Sequence, residues 1–299
     1  SMTADHIQVL LGDLLDDAKV IYFRDIESDC SDKLKAVFES LSHIPKKEIK
    51  DVMCRLRLTK TESEINMMRK SCSISANAFI ETMKATSPEC SEHIMSAKIE
   101  YECRIRGSQR LAYPPVVATG ISCNTLHYVM NDSRAKNGDL LLMDAGGEYF
   151  DYASDITRTW PTNGKFSPAQ RHIYEAVLRT QKKVFEFCKP TRTLENGRTE
   201  AMTLGKLQMI AMESTMNELA AIGIKEVKKL TECYPHMIGH FLGMDVHDVS
   251  SISYNEPLTP GMIITVEPGL YMPEEEWVPE PFRGIGVRIE DDVLITTGE

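Results

Sequence analysis

Four acidic residues lie within segments that are otherwise apolar. They are Asp144 in LLLMD, Asp155 in YASDITRT, Glu267 in IITVEPG and Glu290 in GVRIEDD. Each alone could be an exposed residue at a strand end, but a buried carboxylate without a cation is costly. Divalent cations bind carboxylate oxygens, and the charge of four carboxylates balances that of two such ions. Four acids in separate strands therefore favour a dinuclear metal site over a single ion.

A histidine cluster lies in PHMIGHFLGMDVHD, residues 235–248. His236, His240 and His247 follow one another there at spacings of four and seven, in a chain with eight histidines. Imidazole binds metals and exchanges protons near neutral pH. Together with the four acids, this cluster favours metal chemistry over a chance grouping on a buried helix.

Helical patterns alternate with the segments that carry these residues. Thr61 and Glu64 form a capping box, and Ser167 begins a second helix that must end before Pro190. The four expected helices cover about 61–83, 90–106, 167–189 and 199–222. The first is predicted to bury a stripe of residues at helical spacing, namely Ile65, Met68, Cys72, Ala76, Phe79 and Met83.

Extended segments separate the helices. GDLLLMDAGGEYFDYASDITRTWP predicts a hairpin, while GMIITVEPGLYM and GVRIEDDVLIT predict one strand each. Helices and antiparallel strands in blocks predict an α+β fold. Residues 1–53 mix short apolar patches with charges and are predicted to be separate from residues 54–299.

Composition narrows the classes of partner and compartment. The net charge is −10 with no basic run, so nucleic acid is not expected as a partner. No apolar run approaches the roughly 18 residues of a membrane helix, so no membrane partner is expected. The cysteines form no CxxC pair, which indicates small core residues in a reducing intracellular compartment.

Five residues, in order and in local context, resemble the metal ligands of the pita-bread metallopeptidases: Asp144, Asp155, His240, Glu267 and Glu290. The resemblance covers residues 54–299, and the family includes methionine aminopeptidase, prolidase and aminopeptidase P. His236 and Arg288 fill places that point to aminopeptidase P or prolidase. SDITRTWP, RLAYPPVV, NTLHYV and PEPFRGIGVRIEDDVLIT look most like the organellar third type of aminopeptidase P, whose plant and fungal relatives are intermediate-cleaving peptidases.

The resemblance implies a role for each ligand. Asp144 chelates one ion, His240 and Glu267 hold the other, and Asp155 and Glu290 bridge the two. A water or hydroxide between the ions is the nucleophile. Mn²⁺ is the expected ion, although this ligand set also accepts Co²⁺ or Zn²⁺.

The resemblance also implies catalytic and substrate-binding residues that do not touch metal. His127 and His236 flank the bound peptide, and His247 stabilises the developing oxyanion. Tyr271 is a substrate-binding residue, although simple strand packing also explains it. Arg288 lies two residues before a ligand, so strand alternation places it on the same face, where it can orient carboxylates. A satisfied core histidine is the alternative for His247.

Two smaller expectations concern residues near the motifs. Gly243 and Gly269 are expected to relieve backbone crowding rather than to take part in chemistry. Four histidines have no motif around them and are predicted to lie at the surface: His6, His43, His93 and His172.

The function implied by the resemblance is removal of the first residue from peptides with a free N-terminus and proline second. A prolidase acting on Xaa-Pro dipeptides, an intermediate-cleaving peptidase preferring a bulky first residue, and a non-catalytic binding module are the alternatives. Residues 1–53 are expected to be a remnant of an N-terminal domain or a linker. Both ends of the chain are expected to be trimmed. The resemblance leaves open whether the chain forms a homodimer. The expected compartment is the mitochondrion or the cytoplasm.

Overall fold

The computed structural model describes residues 19–23, 39, 44–194 and 196–297. The chain forms two compact units, Ser1–Leu56 and Arg57–Glu299. Within the first unit, β1 (Ile21–Phe23) pairs in parallel with β2 (Lys46–Glu48). The boundary predicted at residue 53 and the interpretation of that segment as a remnant stay predictions. His6, Cys30 and His43 lie outside the described residues.

Helices account for much of the described chain. They are α1 (Lys50–Leu58), α2 (Glu62–Ala85), α3 (Glu92–Ile105), α4 (Pro168–Phe185), α5 (Leu204–Ala221) and α6 (Val227–Cys233). Both predicted caps are confirmed, because the side chains of Thr61 and Ser167 accept hydrogen bonds from backbone N–H groups in capping boxes. In the described part of the chain, no helix has both the length and the hydropathy needed to cross a membrane.

The predicted helix over 199–222 begins later than expected. Its first residues form β10 (Thr199–Ala201), which pairs with β9 (Thr191–Thr193) in a hairpin. The helix starts after Thr203, whose hydroxyl accepts a hydrogen bond from the Lys206 N–H at 3.1 Å. This side-chain cap, which the sequence analysis missed, sets the boundary.

The buried face of α2 differs from the predicted stripe, since Ala76 is exposed. Ser71 donates a hydrogen bond to the Gly147 carbonyl at 2.8 Å, and the Gly147 N–H donates to the Ser75 hydroxyl at 2.8 Å. Because Ser71 and Ser75 make these contacts, they belong to the buried face, which is therefore not a purely apolar stripe. The buried residues of α2 are Ile65, Met68, Ser71, Ile74, Ser75, Ala78, Phe79 and Thr82.

The remaining strands form short antiparallel sheets. They are β3 (Arg110–Leu111), β4 (Val116–Thr119), β5 (Leu140–Ala145), β6 (Gly147–Tyr149), β7 (Tyr152–Ala153), β8 (Ile156–Pro161), β11 (Ile263–Val266), β12 (Gly269–Tyr271), β13 (Gly286–Arg288) and β14 (Asp291–Leu294). The sheet orders are β4-β5-β8, β3-β6-β7, β11-β14 and β12-β13. The predicted hairpin is confirmed: β5 pairs with β8, and β6 with β7 lies inside it.

Each of the two predicted single strands is instead two strands. β11 and β12 are separated at Glu267-Pro268, and β13 and β14 at Ile289-Glu290. Proline has no N–H to donate to a sheet, so the ladder is interrupted at Pro268. The Glu290 N–H donates instead to the Thr157 carbonyl at 3.0 Å and so joins this region to β8.

The main core lies between the helices α2 and α3 and the strand β5. Its fully buried residues include Ala78, Ile99, Cys103, Val117, Leu141 and Met143. Long helices packed on antiparallel strands confirm the predicted α+β class. This core includes residues of β5, which carries Asp144, and Ile156 of β8, which follows Asp155.

Candidate metal centre

The predicted ligands converge at one place. Single ligand atoms of Asp155, His240 and Glu290 lie within 4.8 Å of one another. His240 Nε2 is 3.5 Å from Asp155 Oδ2 and 3.6 Å from Glu267 Oε1. Ligands of one cation at bond lengths of about 2.1 Å lie about 3.0–3.4 Å apart, so these separations suit a shared ion.

Strand ends and strand breaks position the acids. Asp144 lies in β5 opposite Thr157 of β8, and Asp155 comes directly before β8. Glu267 occupies the break after β11, and Glu290 occupies the break before β14. At these breaks the backbone leaves the regular ladder, which lets the side chains turn toward a common centre.

Hydrogen bonds hold both the backbone and the ring of His240 in place. Its backbone N–H donates to Thr265 Oγ1 at 3.0 Å, and Nδ1 lies 3.2 Å from the Phe241 carbonyl. A proton on Nδ1 leaves the Nε2 lone pair free to bind metal. Burial disfavours the charged ring, but the hydrogen bond that the ring donates to Asp155 and the charge of Glu267 raise the pKa of His240 to about 9.

Burial and mutual repulsion disfavour the charged forms of the acids at this centre. Burial, and then the neighbouring acids, raise the pKa of Glu290 well above its usual range. Burial also raises the pKa of Glu267 to about 7 and that of Asp144, although the Arg288 guanidinium opposes both. Bound divalent cations would relieve this repulsion, so the donor set fits a metal centre.

A buried hydrogen-bonded chain leads from the centre to His236. Arg288 donates to Asp144 Oδ2 at 2.7 Å and to the Tyr271 hydroxyl at 2.8 Å. That hydroxyl lies 2.9 Å from His236 Nε2, and His236 Nδ1 lies 2.8 Å from the Met237 carbonyl. A proton on Nδ1 lets Nε2 accept from Tyr271, so both ring nitrogens of His236 are engaged. Tyr271 is therefore hydrogen-bonded within the site, beyond simple strand packing.

Arg288 also reaches the second predicted bridging ligand. Its Nε donates to Thr157 Oγ1 at 3.1 Å, and that hydroxyl donates to Glu290 Oε2 at 2.6 Å. Arg288 is 3% exposed. These contacts fit the predicted role of Arg288 in orienting carboxylates.

The other two predicted histidines lie at the edge of the centre. The rings of His247 and His240 are 4.4 Å apart at an interplanar angle of 74°. Burial first, and His127 among the later causes, lower the pKa of His236 to about 4. The exposed His127 therefore lies within electrostatic reach of His236. The structure thus brings the histidines to one region, and their roles stay predictions.

Tyr113 belongs to the same cluster, and the sequence analysis missed it. Its hydroxyl lies 2.6 Å from Asp144 Oδ1 and also bonds Asp155 Oδ1. Burial, and then the charges of these two acids, raise the pKa of Tyr113 well above its usual range, so the phenol keeps its proton. The available signal was its place in RLAYPPVV, one of the segments that carry the family resemblance.

Comparison with known proteins places this arrangement in a family. Residues 66–297 match Metallopeptidase family M24, which is more than half of the 299-residue chain. The chain belongs to family M24. The recognition made from the five ligands and their local contexts is confirmed.

Named relatives of this M24 chain fall into two groups. It is 47% identical over 253 residues to Xaa-Pro aminopeptidase 3 of Mus musculus, covering 84% of this chain and 49% of that protein. It is 44% identical over 251 residues to the mitochondrial intermediate cleaving peptidase 55 of Arabidopsis thaliana, covering 84% of this chain and 49% of that protein. The chain therefore spans about half the length of the curated relatives it matches.

A solved structure confirms the M24 fold. Proline aminopeptidase P II from Yersinia pestis matches with a TM-score of 0.88 and 34% sequence identity. The match covers 98% of this chain and 70% of that structure. The predicted pita-bread fold is confirmed.

Replacing Tyr113 with Phe should weaken metal binding at this M24 centre. The variant loses the hydroxyl that is shared between Asp144 and Asp155, and groups that orient ligands in this way are worth about 10–100-fold in affinity. Calorimetric titration of the chelator-treated protein with Mn²⁺ measures the change. Tyr152→Phe is the matched control, since its hydroxyl bonds Glu64 at 2.9 Å outside the centre. Equal Mn²⁺ affinity of Tyr113→Phe and the wild type would contradict the role of Tyr113.

Two glycines near the M24 centre are required by crowding, as predicted. A Cβ on Gly243 would lie 2.1 Å from Asp248 Oδ2. A Cβ on Gly269 would lie 2.6 Å from the Tyr271 hydroxyl. Both separations are far below contact distance, so Gly243 leaves room for the Asp248 carboxylate and Gly269 for the Tyr271 hydroxyl.

The histidines predicted to lie at the surface differ in their environments. His93 is exposed, which confirms the prediction. His172 is half-buried, with its ring 5.6 Å from that of Phe282, so the prediction for it was wrong. Its apolar packing partner is too distant in sequence to be recognised from local pattern.

Proposed function

We propose that this chain is a metal-dependent aminopeptidase that releases the first residue from peptides with proline second. The observation that carries the proposal is the convergence of buried acids on His240 Nε2, at separations that suit shared cations. The names of the relatives support the substrate class. A non-catalytic module is disfavoured because all five ligand types are in place: Asp144, Asp155, His240, Glu267 and Glu290.

The centre is proposed to hold two divalent ions, with Mn²⁺ expected. Asp144 would serve one ion, His240 and Glu267 the other, and Asp155 and Glu290 both. When bound, the cations polarise the scissile carbonyl and lower the pKa of the attacking water. The four carboxylates would be neutralised by two such ions.

The surrounding side chains are proposed to bind the peptide and handle charge. His236 is neutral, because burial lowers its pKa to about 4, so it presents an uncharged imidazole face to the proline ring. His247 lies beside His240, where an N–H can donate to the developing oxyanion. His127 is exposed and is proposed to flank the substrate. Tyr271 orients the His236 ring through its hydrogen bond to Nε2, and Arg288 orients the Asp144 carboxylate.

The proposed substrate follows from the chemistry of the Xaa-Pro bond. That bond is a tertiary amide without an N–H, so recognition has to use the free amino terminus and the pyrrolidine ring. The anionic centre suits the ammonium group of an N-terminus. The relative named intermediate cleaving peptidase 55 favours a second candidate, which removes a bulky first residue without proline. A prolidase limited to Xaa-Pro dipeptides is the third.

A panel of synthetic peptides tests the proposal. Tetrapeptides with proline second should release their first residue faster than matched peptides with alanine second. Acetylation should abolish cleavage, because it removes the charged amino group. Xaa-Pro dipeptides compared with the same sequence extended by two residues separate a prolidase from the proposed enzyme. Faster cleavage of Tyr-Ala or Leu-Ser starts than of Xaa-Pro starts would overturn the proline requirement and favour the intermediate-cleaving candidate.

A reducing compartment, either the mitochondrion or the cytoplasm, is proposed as the place of action. The described cysteines are free thiols, and one named relative is mitochondrial. A homodimer stays a prediction.

A further inference from the structure

Glu92 is a fully buried acid outside the metal centre. It is the first residue of α3 and is 0% exposed. The N-terminus of a helix stabilises a negative charge, so a carboxylate is suited to this place. It lies beneath residues 119–133, the segment that carries His127.

The Glu92 carboxylate binds both ends of that segment. Oε1 accepts hydrogen bonds from the Thr119 N–H and from the Thr119 hydroxyl, both at 2.7 Å. Oε2 lies 2.9 Å from the Ser133 N–H and 2.9 Å from the Tyr128 hydroxyl. The Glu92 N–H returns a bond to the Ser133 carbonyl at 3.0 Å.

Asn131 provides a second attachment for the same segment. Its side chain accepts from the Val117 N–H at 2.8 Å and donates to the Pro115 carbonyl at 2.9 Å, as a neighbouring strand would. β4 is an edge strand of its sheet, so these backbone groups are available. The segment is thus tied down on both sides of Tyr128, the residue after His127.

We propose that Glu92 is a positioning residue that holds His127 in place by clamping residues 119–133. The inference rests on the proposed function, in which His127 flanks the bound peptide. Glu92 acts through Tyr128 and the backbone of the segment, without contact to the metal ligands. The Thr119 and Ser133 N–H groups can only donate, one to each oxygen of Glu92, so both positions need an acceptor oxygen, which a carboxylate supplies.

Glu92→Gln tests the clamp directly. In either orientation the amide NH₂ faces the N–H of Thr119 or Ser133, so one buried donor is left unpaired. Amide hydrogen exchange over residues 117–135 should become at least about tenfold faster. The matched control is Glu102→Gln on the same helix, a 5% exposed acid that pairs with Lys98 and Arg106. Unchanged exchange in Glu92→Gln would overturn the clamp, whether or not the chain is a peptidase.

A double-mutant cycle with His127→Ala tests the link to catalysis. Glu92→Gln should lower kcat/KM for an Xaa-Pro peptide at least about tenfold in the wild-type background, but less than about twofold in the His127→Ala background. Metal content should not change. Equal losses in both backgrounds would overturn the positioning role. Tyr128→Phe gives a milder test if Glu92→Gln folds poorly. A wild-type chain that cleaves none of the peptides would refute the proposed function and leave the exchange result standing.

Discussion

Glu290→Gln should lower peptidase activity by at least about three orders of magnitude and reduce metal content from about two ions to about one per chain. Glu290 is 2% exposed. One of its carboxylate oxygens lies within 4.8 Å of a ligand atom of Asp155 and of one of His240. The amide is nearly isosteric but carries no charge, and it is a poor ligand for a second cation. Elemental analysis and turnover of an Xaa-Pro peptide measure the two effects.

Stability measurements distinguish this loss from unfolding. Because burial and neighbouring acids raise the pKa of Glu290, the metal-free chain loses stability as the pH rises through the range where this carboxyl must ionise. Replacing it with an amide removes that cost. In the presence of a chelator at neutral pH, Glu290→Gln should therefore unfold at a temperature equal to or above that of the wild type.

Asp291→Asn is the matched control for Glu290→Gln. This neighbouring acid is half-buried and pairs with Arg158 at 2.5 Å rather than with the proposed ligands. It should keep both ions and most of the activity. Wild-type activity and metal content in Glu290→Gln would contradict the dinuclear assignment.

The sequence was most informative where a charged residue interrupts an otherwise apolar segment. A charged residue inside an apolar strand is unusual, so Asp144 and Glu267 could be recognised without a structure. Helix caps such as Thr61 were predicted because a cap is a local hydrogen-bond pattern within four residues. The α+β class followed from the same local periodicities.

Residues that act through distant partners could not be recognised in this way. Tyr113 is an ordinary aromatic residue in an apolar segment until the fold brings it to Asp144 and Asp155. Glu92 has the common pattern of an acid at a helix start, and its partners are 27 to 41 residues away. The polar buried face of α2 likewise depends on Gly147, a contact that helical spacing does not reveal.

Comparison of His240→Ala with His236→Ala should separate metal binding from substrate handling. His240 directs Nε2 toward two acids, so its loss should remove about one ion together with nearly all activity. Both nitrogens of His236 are engaged by Tyr271 and Met237. His236→Ala should therefore keep both ions while the rate falls about 10²–10⁴-fold, as expected for loss of a ring that positions the bound substrate.

The truncation of His236 also leaves the buried Tyr271 hydroxyl without its acceptor, which costs about 1–3 kcal/mol. A modest fall in Tm with unchanged metal content is thus part of the expected result. His93→Ala, at an exposed histidine, controls for the loss of an imidazole. This variant should change neither the Tm nor the metal content. If elemental analysis shows His236→Ala losing an ion as His240→Ala does, then His236 is itself a ligand. In that case the hydrogen-bonded chain from Arg288 through Tyr271 would orient a metal ligand rather than a substrate-binding ring.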